Sequence, residues 1–172
     1  VSNSLYVVVA DKDGRIWMSS ADSGVSRYDP DEDFATNFIH QDSDVNSLSS
    51  NQTSDIFEDS DGNIWIATDQ GLSLFSPEKN NFVQYNTENT NLPDDVVISI
   101  YQTREGKYWV GSMSGLVSGM QTEFHKYSRS RGNLSSDAVN AFTETIDGTL
   151  WVGTDGGLNI LRPGSTEFEW IN

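Results

Sequence analysis

Apolar and polar residues fall in short alternating runs along the whole chain, and no window carries the 3.6-residue apolar spacing of an amphipathic helix. Short runs rich in Val, Ile, Leu, Tyr and Trp are bounded by Gly, Pro, Asp and Asn, the pattern of strands joined by turns. The runs also repeat. Four segments share an acidic residue, a glycine, a variable residue, an apolar residue and a tryptophan: Asp13-Gly14-Arg15-Ile16-Trp17, Asp61-Gly62-Asn63-Ile64-Trp65, Glu105-Gly106-Lys107-Tyr108-Trp109 and Asp147-Gly148-Thr149-Leu150-Trp151. Successive tryptophans lie 48, 44 and 42 residues apart. A glycine and an apolar residue follow each one: Gly24-Val25, Gly71-Leu72, Gly115-Leu116 and Gly157-Leu158. Next come aromatic pairs: Phe34 with Phe38, Phe82 with Tyr85, Phe124 with Tyr127, and Phe168 with Trp170. Leu48, Leu92 and Leu134 each open a Leu-x-x-Asn/Asp stretch 17 residues ahead of the next tryptophan. Landmarks in one fixed order define a repeat.

Each unit holds four strand signals. The first runs are Leu5–Ala10, Thr53–Phe57, Val97–Tyr101 and Val139–Thr143. Gly14, Gly62, Gly106 and Gly148 then supply the positive φ of a tight hairpin. The second runs contain the tryptophans, the third start at the next glycine, and the fourth carry the aromatic pair. About 43 residues per unit, four antiparallel strands and one tryptophan per unit predict a β-propeller blade. A sandwich has regular short strands too, but does not repeat its residues with this period. The expected fold is therefore all-β: a β-propeller of four consecutive four-stranded antiparallel blades, in one array over residues 1–172. The blades are placed at about 4–39, 52–86, 96–128 and 138–171, with almost no helix. A blade has two apolar faces, so Trp17, Trp65, Trp109 and Trp151 are expected to pack between blades. The third unit has 9 residues from Gly115 to Phe124 against 11 from Gly71 to Phe82, so its last hairpin must be shorter.

Charge narrows the partners. The formal net charge is -16, and such a surface repels phosphate backbones and anionic membranes. Neither nucleic acid nor a membrane is an expected partner of this segment, and no apolar run approaches the ~18 residues of a membrane span. With no cysteine, disulfides and thiolate zinc sites are excluded. His40 and His125 are read as solvated. Asp11-Lys12-Asp13-Gly14 and Asp59-Ser60-Asp61-Gly62 resemble the start of a calcium loop, but neither has the glutamate near position 12 that completes one. Turn formation explains both without a metal, and neither metal nor cofactor is expected. The sialidase Asp-box fails by one residue in all four copies. No Gly-x-Ser-x-Gly elbow, His-Glu-x-x-His or phosphate loop occurs.

The stretches Asp61–Leu72 and Asp147–Leu158, with the leading Leu-Ser-Ser-Asn/Asp at Leu48 and Leu134, resemble the two-component regulator propeller repeat. The resemblance covers nearly the whole chain. It implies the extracytoplasmic sensor region of hybrid two-component histidine kinases or related signalling proteins, built of seven-bladed propellers, a small β-sandwich, a membrane helix and a cytoplasmic output domain. Many such sensors respond to glycan fragments, so an oligosaccharide is the implied ligand. Four repeats read as a fragment of a larger propeller, its remaining partner being either the rest of the parent or a second copy.

On a repeating scaffold, binding residues belong where the repeats differ. The loops after the second and fourth strands of each blade open at one end. There Asp22, Asp69, Met113 and Asp155 follow second strands, while Arg129 and Arg131 lie in a fourth-strand loop. The two arginines either pair an anionic sugar or offset nearby aspartates. The expectation is a non-catalytic, periplasmic or extracellular sensor module. A polysaccharide lyase or glycosidase, and a structural dimerisation module, are the alternatives.

Overall fold

A computed structural model describes residues 5–20, 22–120 and 123–171. The chain forms two compact units, Val1–Asn86 and Thr87–Asn172. Each unit holds two propeller blades, and every blade is a four-stranded antiparallel sheet with its strands in chain order. The first unit has β1 (Leu5–Ala10), β2 (Ile16–Ser20), β3 (Val25–Asp29) and β4 (Phe34–Phe38), then β5 (Thr53–Glu58), β6 (Ile64–Thr68), β7 (Gly71–Ser76) and β8 (Asn81–Tyr85). The second has β9 (Val97–Gln102), β10 (Tyr108–Ser112), β11 (Gly115–Met120) and β12 (Glu123–Tyr127), then β13 (Val139–Glu144), β14 (Leu150–Thr154), β15 (Gly157–Leu161) and β16 (Glu169–Ile171). The one helical element among the described residues is a 3-10 turn, Arg129–Arg131.

The same local chemistry makes each first hairpin. Gly14, Gly62, Gly106 and Gly148 all sit at φ 82 or 83, a conformation that costs a residue with a Cβ. Their N–H groups donate to Asp11, Asp59, Thr103 and Thr145 carbonyls at 2.8–2.9 Å. At the opposite end of all four hairpins the register shifts near the start of the first strand, as at Leu5/Val7 and Thr53/Asp55. Such irregularities bend a strand where it enters a loop.

The core of each unit is the seam between its two sheets. In the first, Trp17 packs at 4.9 Å, ring to ring, on Phe75 of the following sheet and at 5.9 Å on Phe38 of its own. Ile56, Ile64, Ile66 and Phe82 complete the cluster. In the second, Trp109 meets Phe168 at 5.9 Å and Tyr127 at 5.6 Å, over Leu150, Val152 and Leu161. Leu48 and Leu134, from the loops between sheets, plug these seams at 0% and 1% exposure. Burial of this kind is worth about 1.5–3 kcal/mol per aliphatic side chain. Trp65 is buried against Tyr85 of its own sheet, whereas Trp151 is half-buried. A polar clasp recurs at both seams: the Lys12 N–H donates to Glu58, and the Arg104 N–H to Glu144, each at 3.0 Å.

Two expectations need correction. Phe168 is buried but lies ahead of β16, because the preceding link is long and the last strand has only three residues. His40 is half-buried and tied into its loop rather than freely solvated: Nδ1 faces the Leu48 carbonyl at 2.8 Å and Nε2 faces Asp42 at 3.0 Å. The Phe124 side chain and residues 121–122, where the short hairpin was expected, lie outside the described residues, as do Val1 and Asn172.

Candidate ligand-binding face

Antiparallel order puts the loops after second and fourth strands at one end of each sheet. Short backbone bonds hold them there. The Asp69 N–H donates to the Gln52 carbonyl, Met113 to Val96 and Asp155 to Ala138, at 3.1–3.2 Å. Three of the four second strands end in a hydroxyl residue that caps its own turn: Thr68, Ser112 and Thr154 donate to the Gly71, Gly115 and Gly157 carbonyls at 2.9–3.0 Å. These hydroxyls also accept an N–H two residues on, at 3.0–3.2 Å. A loop so pinned presents its tip residues in a defined place.

The Leu-x-x-Asn/Asp stretch holds the longer loops. Asn51 accepts the His40 N–H at 2.7 Å, Asp95 the Thr87 N–H at 2.7 Å and Asp137 the Arg129 N–H at 2.7 Å. Each is a side chain fastening the residue just past a fourth strand to the approach of the next first strand. That role explains the fixed spacing of the stretch, which the sequence displays without a reason.

The first unit brings Asp22 and Asp69 to the loop end. Asp22 is exposed and accepts from the Ser23 hydroxyl at 3.3 Å. Asp69 is half-buried, and its Oδ1 is buried without a hydrogen-bond partner. The long loop 39–52 also walls a recess of about 150 Å³ with amide side chains from Asn37, Gln41, Asn46, Asn80 and Asn81. Sequence reasoning missed this recess, since its residues come from two stretches some 30 residues apart, 37–48 and 80–82. The second unit brings Met113, Asp155, Arg129 and Arg131 to its loop end. Met113 is exposed, and Asp155 accepts from the Asn140 amide at 2.8 Å. Arg131 donates to the Lys126 carbonyl at 3.3 Å. No ion pair among the described residues joins either arginine to Asp155.

The two calcium-like segments have a different task. Asp11 Oδ1 accepts the N–H groups of Asp13 and Arg15 at 3.0 and 2.9 Å, and Oδ2 accepts the Trp17 indole N–H at 2.9 Å. Asp59 does the same for Asp61, Asn63 and Trp65 at 3.0, 2.9 and 2.9 Å. Both carboxylates are committed to the hairpin and the core.

Comparison with known proteins agrees with this architecture. The family model for the two component regulator propeller matches residues 47–70, 91–114 and 133–156. Each matched stretch begins one residue before Leu48, Leu92 or Leu134 and runs through the first two strands of a blade. The extracellular domain of the hybrid two-component system BT3049 from B. thetaiotaomicron is 19% identical, with a TM-score of 0.85 over 97% of this chain and 23% of that one. The extracellular domain of BT4673 from the same organism is 22% identical, with a TM-score of 0.81 over 98% and 25%. Streptogramin B lyase is 16% identical, with a TM-score of 0.70 over 96% and 53%. The chain thus spans about a quarter of the length of the first two structures. At these identities the likeness is one of fold. No curated protein matches the sequence.

Proposed function

We propose that this chain, which carries two-component regulator propeller repeats, is a non-catalytic, ligand-binding part of a signalling sensor that faces the outside of the cytoplasm. The observation that carries the reading is the coincidence of three matched repeats with a blade geometry shared by extracellular domains of hybrid two-component systems. No helix among the described residues is long and apolar enough to cross a membrane.

The ligand is an oligosaccharide, and each unit offers it groups of its own. In the first, Asp22 and Asp69 at the loop end are acceptors, and the recess beside loop 39–52 offers amide groups, which both donate to and accept from sugar hydroxyls. In the second, Asp155 is an acceptor, Arg129 and Arg131 are donors, and Met113 is an adaptable apolar contact. Binding at these loops biases the parent assembly toward one state, and the output follows the differential affinity for the two states.

Calorimetric titration with defined neutral and acidic oligosaccharides tests the reading. One or more should bind, and Asp69→Ala or Arg129→Ala should weaken that binding at least tenfold without changing the melting temperature. Absence of binding across the set rejects the sensor reading for this segment. Appearance of new reducing ends or unsaturated sugars during the titration replaces it with the polysaccharide-active enzyme.

A further inference from the structure

At the other end of the first unit, beside the first-hairpin turns, a cavity of about 260 Å³ opens between the two sheets. Its floor contains an anomaly in the repeat. The residue of the third strand paired with the tryptophan lies on the tryptophan's face of the sheet. That residue is Leu74 opposite Trp65 and Ile160 opposite Trp151, but Arg27 opposite Trp17. The corresponding cavity of the second unit is about 120 Å³, and the residue opposite Trp109 is the small Ser118. On a repeating scaffold, one cation placed where the other copies are apolar or small marks a local purpose.

Arg27 is held by aromatic faces. Its guanidinium carbon lies 5.7 Å from the Trp17 ring, 5.7 Å from Phe38 and 5.3 Å from Phe75. Those contacts fix the side chain without using its N–H groups. No hydrogen bond or ion pair to the Arg27 guanidinium is made among the described residues, although that group carries five donors. The two cations beside it, Arg15 and Lys12, have partners of their own. Arg15 binds Asp13 at 3.0 Å and Asp29 at 3.2 Å, Lys12 Nζ donates to the Asp61 carbonyl at 2.9 Å, and Glu58 accepts the Lys12 N–H at 3.0 Å. Partial burial, joined by the repulsion of Arg15, lowers the pKa of Arg27 from its usual value, as expected of a cation short of acceptors.

We propose that this cavity is a binding site for a small sugar acid, whose carboxylate takes the free N–H groups of Arg27. The planar fork of arginine matches a carboxylate in bidentate fashion. The rim carboxylates of Asp13, Glu58 and Asp61 accept hydrogen bonds from hydroxyls and repel a second negative charge. Together they select a hydroxyl-rich monoanion over a phosphate dianion. At about 260 Å³ the cavity falls just below the ~300–1,000 Å³ of drug-sized sites, which limits the occupant to one sugar ring. The site does not depend on the loop-end reading, because it lies at the opposite end of the sheets.

Calorimetric titration of the intact chain with D-glucuronate and D-galacturonate, against D-glucose and inorganic phosphate, is the test. At least one uronate should bind, more weakly as salt is added, with neither glucose nor phosphate matching it. Arg27→Leu should lower the uronate affinity at least tenfold while the protein stays folded, since leucine already fills this position in β7. Arg27→Lys keeps the charge, loses the fork and should bind more weakly than wild type. If Arg27→Leu does not fold, Arg27→Lys decides, and unchanged affinity overturns the proposal. Absence of uronate binding overturns it as well. Uronate binding that survives Arg27→Leu but is lost in Arg129→Ala overturns it too, while upholding the loop end.

Discussion

Asp59 shows how a side chain that resembles a metal ligand serves the core instead. Its carboxylate takes two turn N–H groups, the Asn63 amide and the Trp65 indole. The turn and the buried tryptophan are thereby tied to one residue. The third blade has Thr103 in that place. Thr103 accepts the Lys107 N–H at 3.2 Å, but the Trp109 indole N–H is buried with no partner. A buried donor left unmade costs about 1–3 kcal/mol. Asp59→Ala should therefore destabilise by about 2–3 kcal/mol. Thr103→Asp should stabilise by about 1 kcal/mol, because it supplies the acceptor that Asp11 and Asp59 provide to their tryptophans. Guanidinium melts measure both, and a Thr103→Asp variant less stable than wild type would refute the shared role. Sequence showed the six-residue spacing from Asp11 to Trp17 and from Asp59 to Trp65. It did not show that the spacing closes a hydrogen bond, because that needs the hairpin built.

At the scale of elements, the blades were legible because glycine at the turn and tryptophan on the second strand recur with little else around them. The joints between elements were not, because they are made by partners far apart in sequence. One such joint links the Leu-x-x-Asn/Asp stretch to the third strand. The Ser49 N–H donates to the Ser73 hydroxyl at 2.9 Å, and the Ser135 N–H to the Asn159 side chain at 2.8 Å. In the third blade the corresponding residues are Pro93, which has no N–H, and Val117, which is fully buried. Donor and acceptor have been lost together. Val117→Ser alone should then cost about 1–3 kcal/mol, as a buried hydroxyl without its partner. Adding Pro93→Ser should recover part of that, with a coupling of about 1 kcal/mol in a double-mutant cycle. Strict additivity would mean that the two positions do not communicate. Arg27 illustrates the same limit: in sequence it is one basic residue among ten, and only the register sets it opposite Trp17, where Leu74 and Ile160 stand in other blades.

For the molecule as a whole, 26 acidic against 10 basic side chains leave a field that opposes compaction. Salt weakens that field, since the screening length falls from about 30 Å at 0.01 M to about 8 Å at 0.15 M. The melting temperature should rise over that range. Acid acts through Asp29 and Asp147. Burial pushes Asp29 up, but the Arg15 guanidinium and the N–H groups of Asp31 and Glu32 outweigh it and hold the acid below its usual range. The Thr145 hydroxyl and the Thr149 N–H hold Asp147 low as well. A carboxylate whose folded pKa lies below its unfolded value contributes stability above the unfolded value, about 3.9 for Asp, and loses it as pH falls through the folded one. Stability should therefore decline as pH falls below about 4. Thermal melts across pH at fixed ionic strength measure the curve. A melting temperature unchanged from about pH 5 to about pH 3 would refute the role of these two carboxylates, and one unmoved by salt would show that charge repulsion is not what limits this fold.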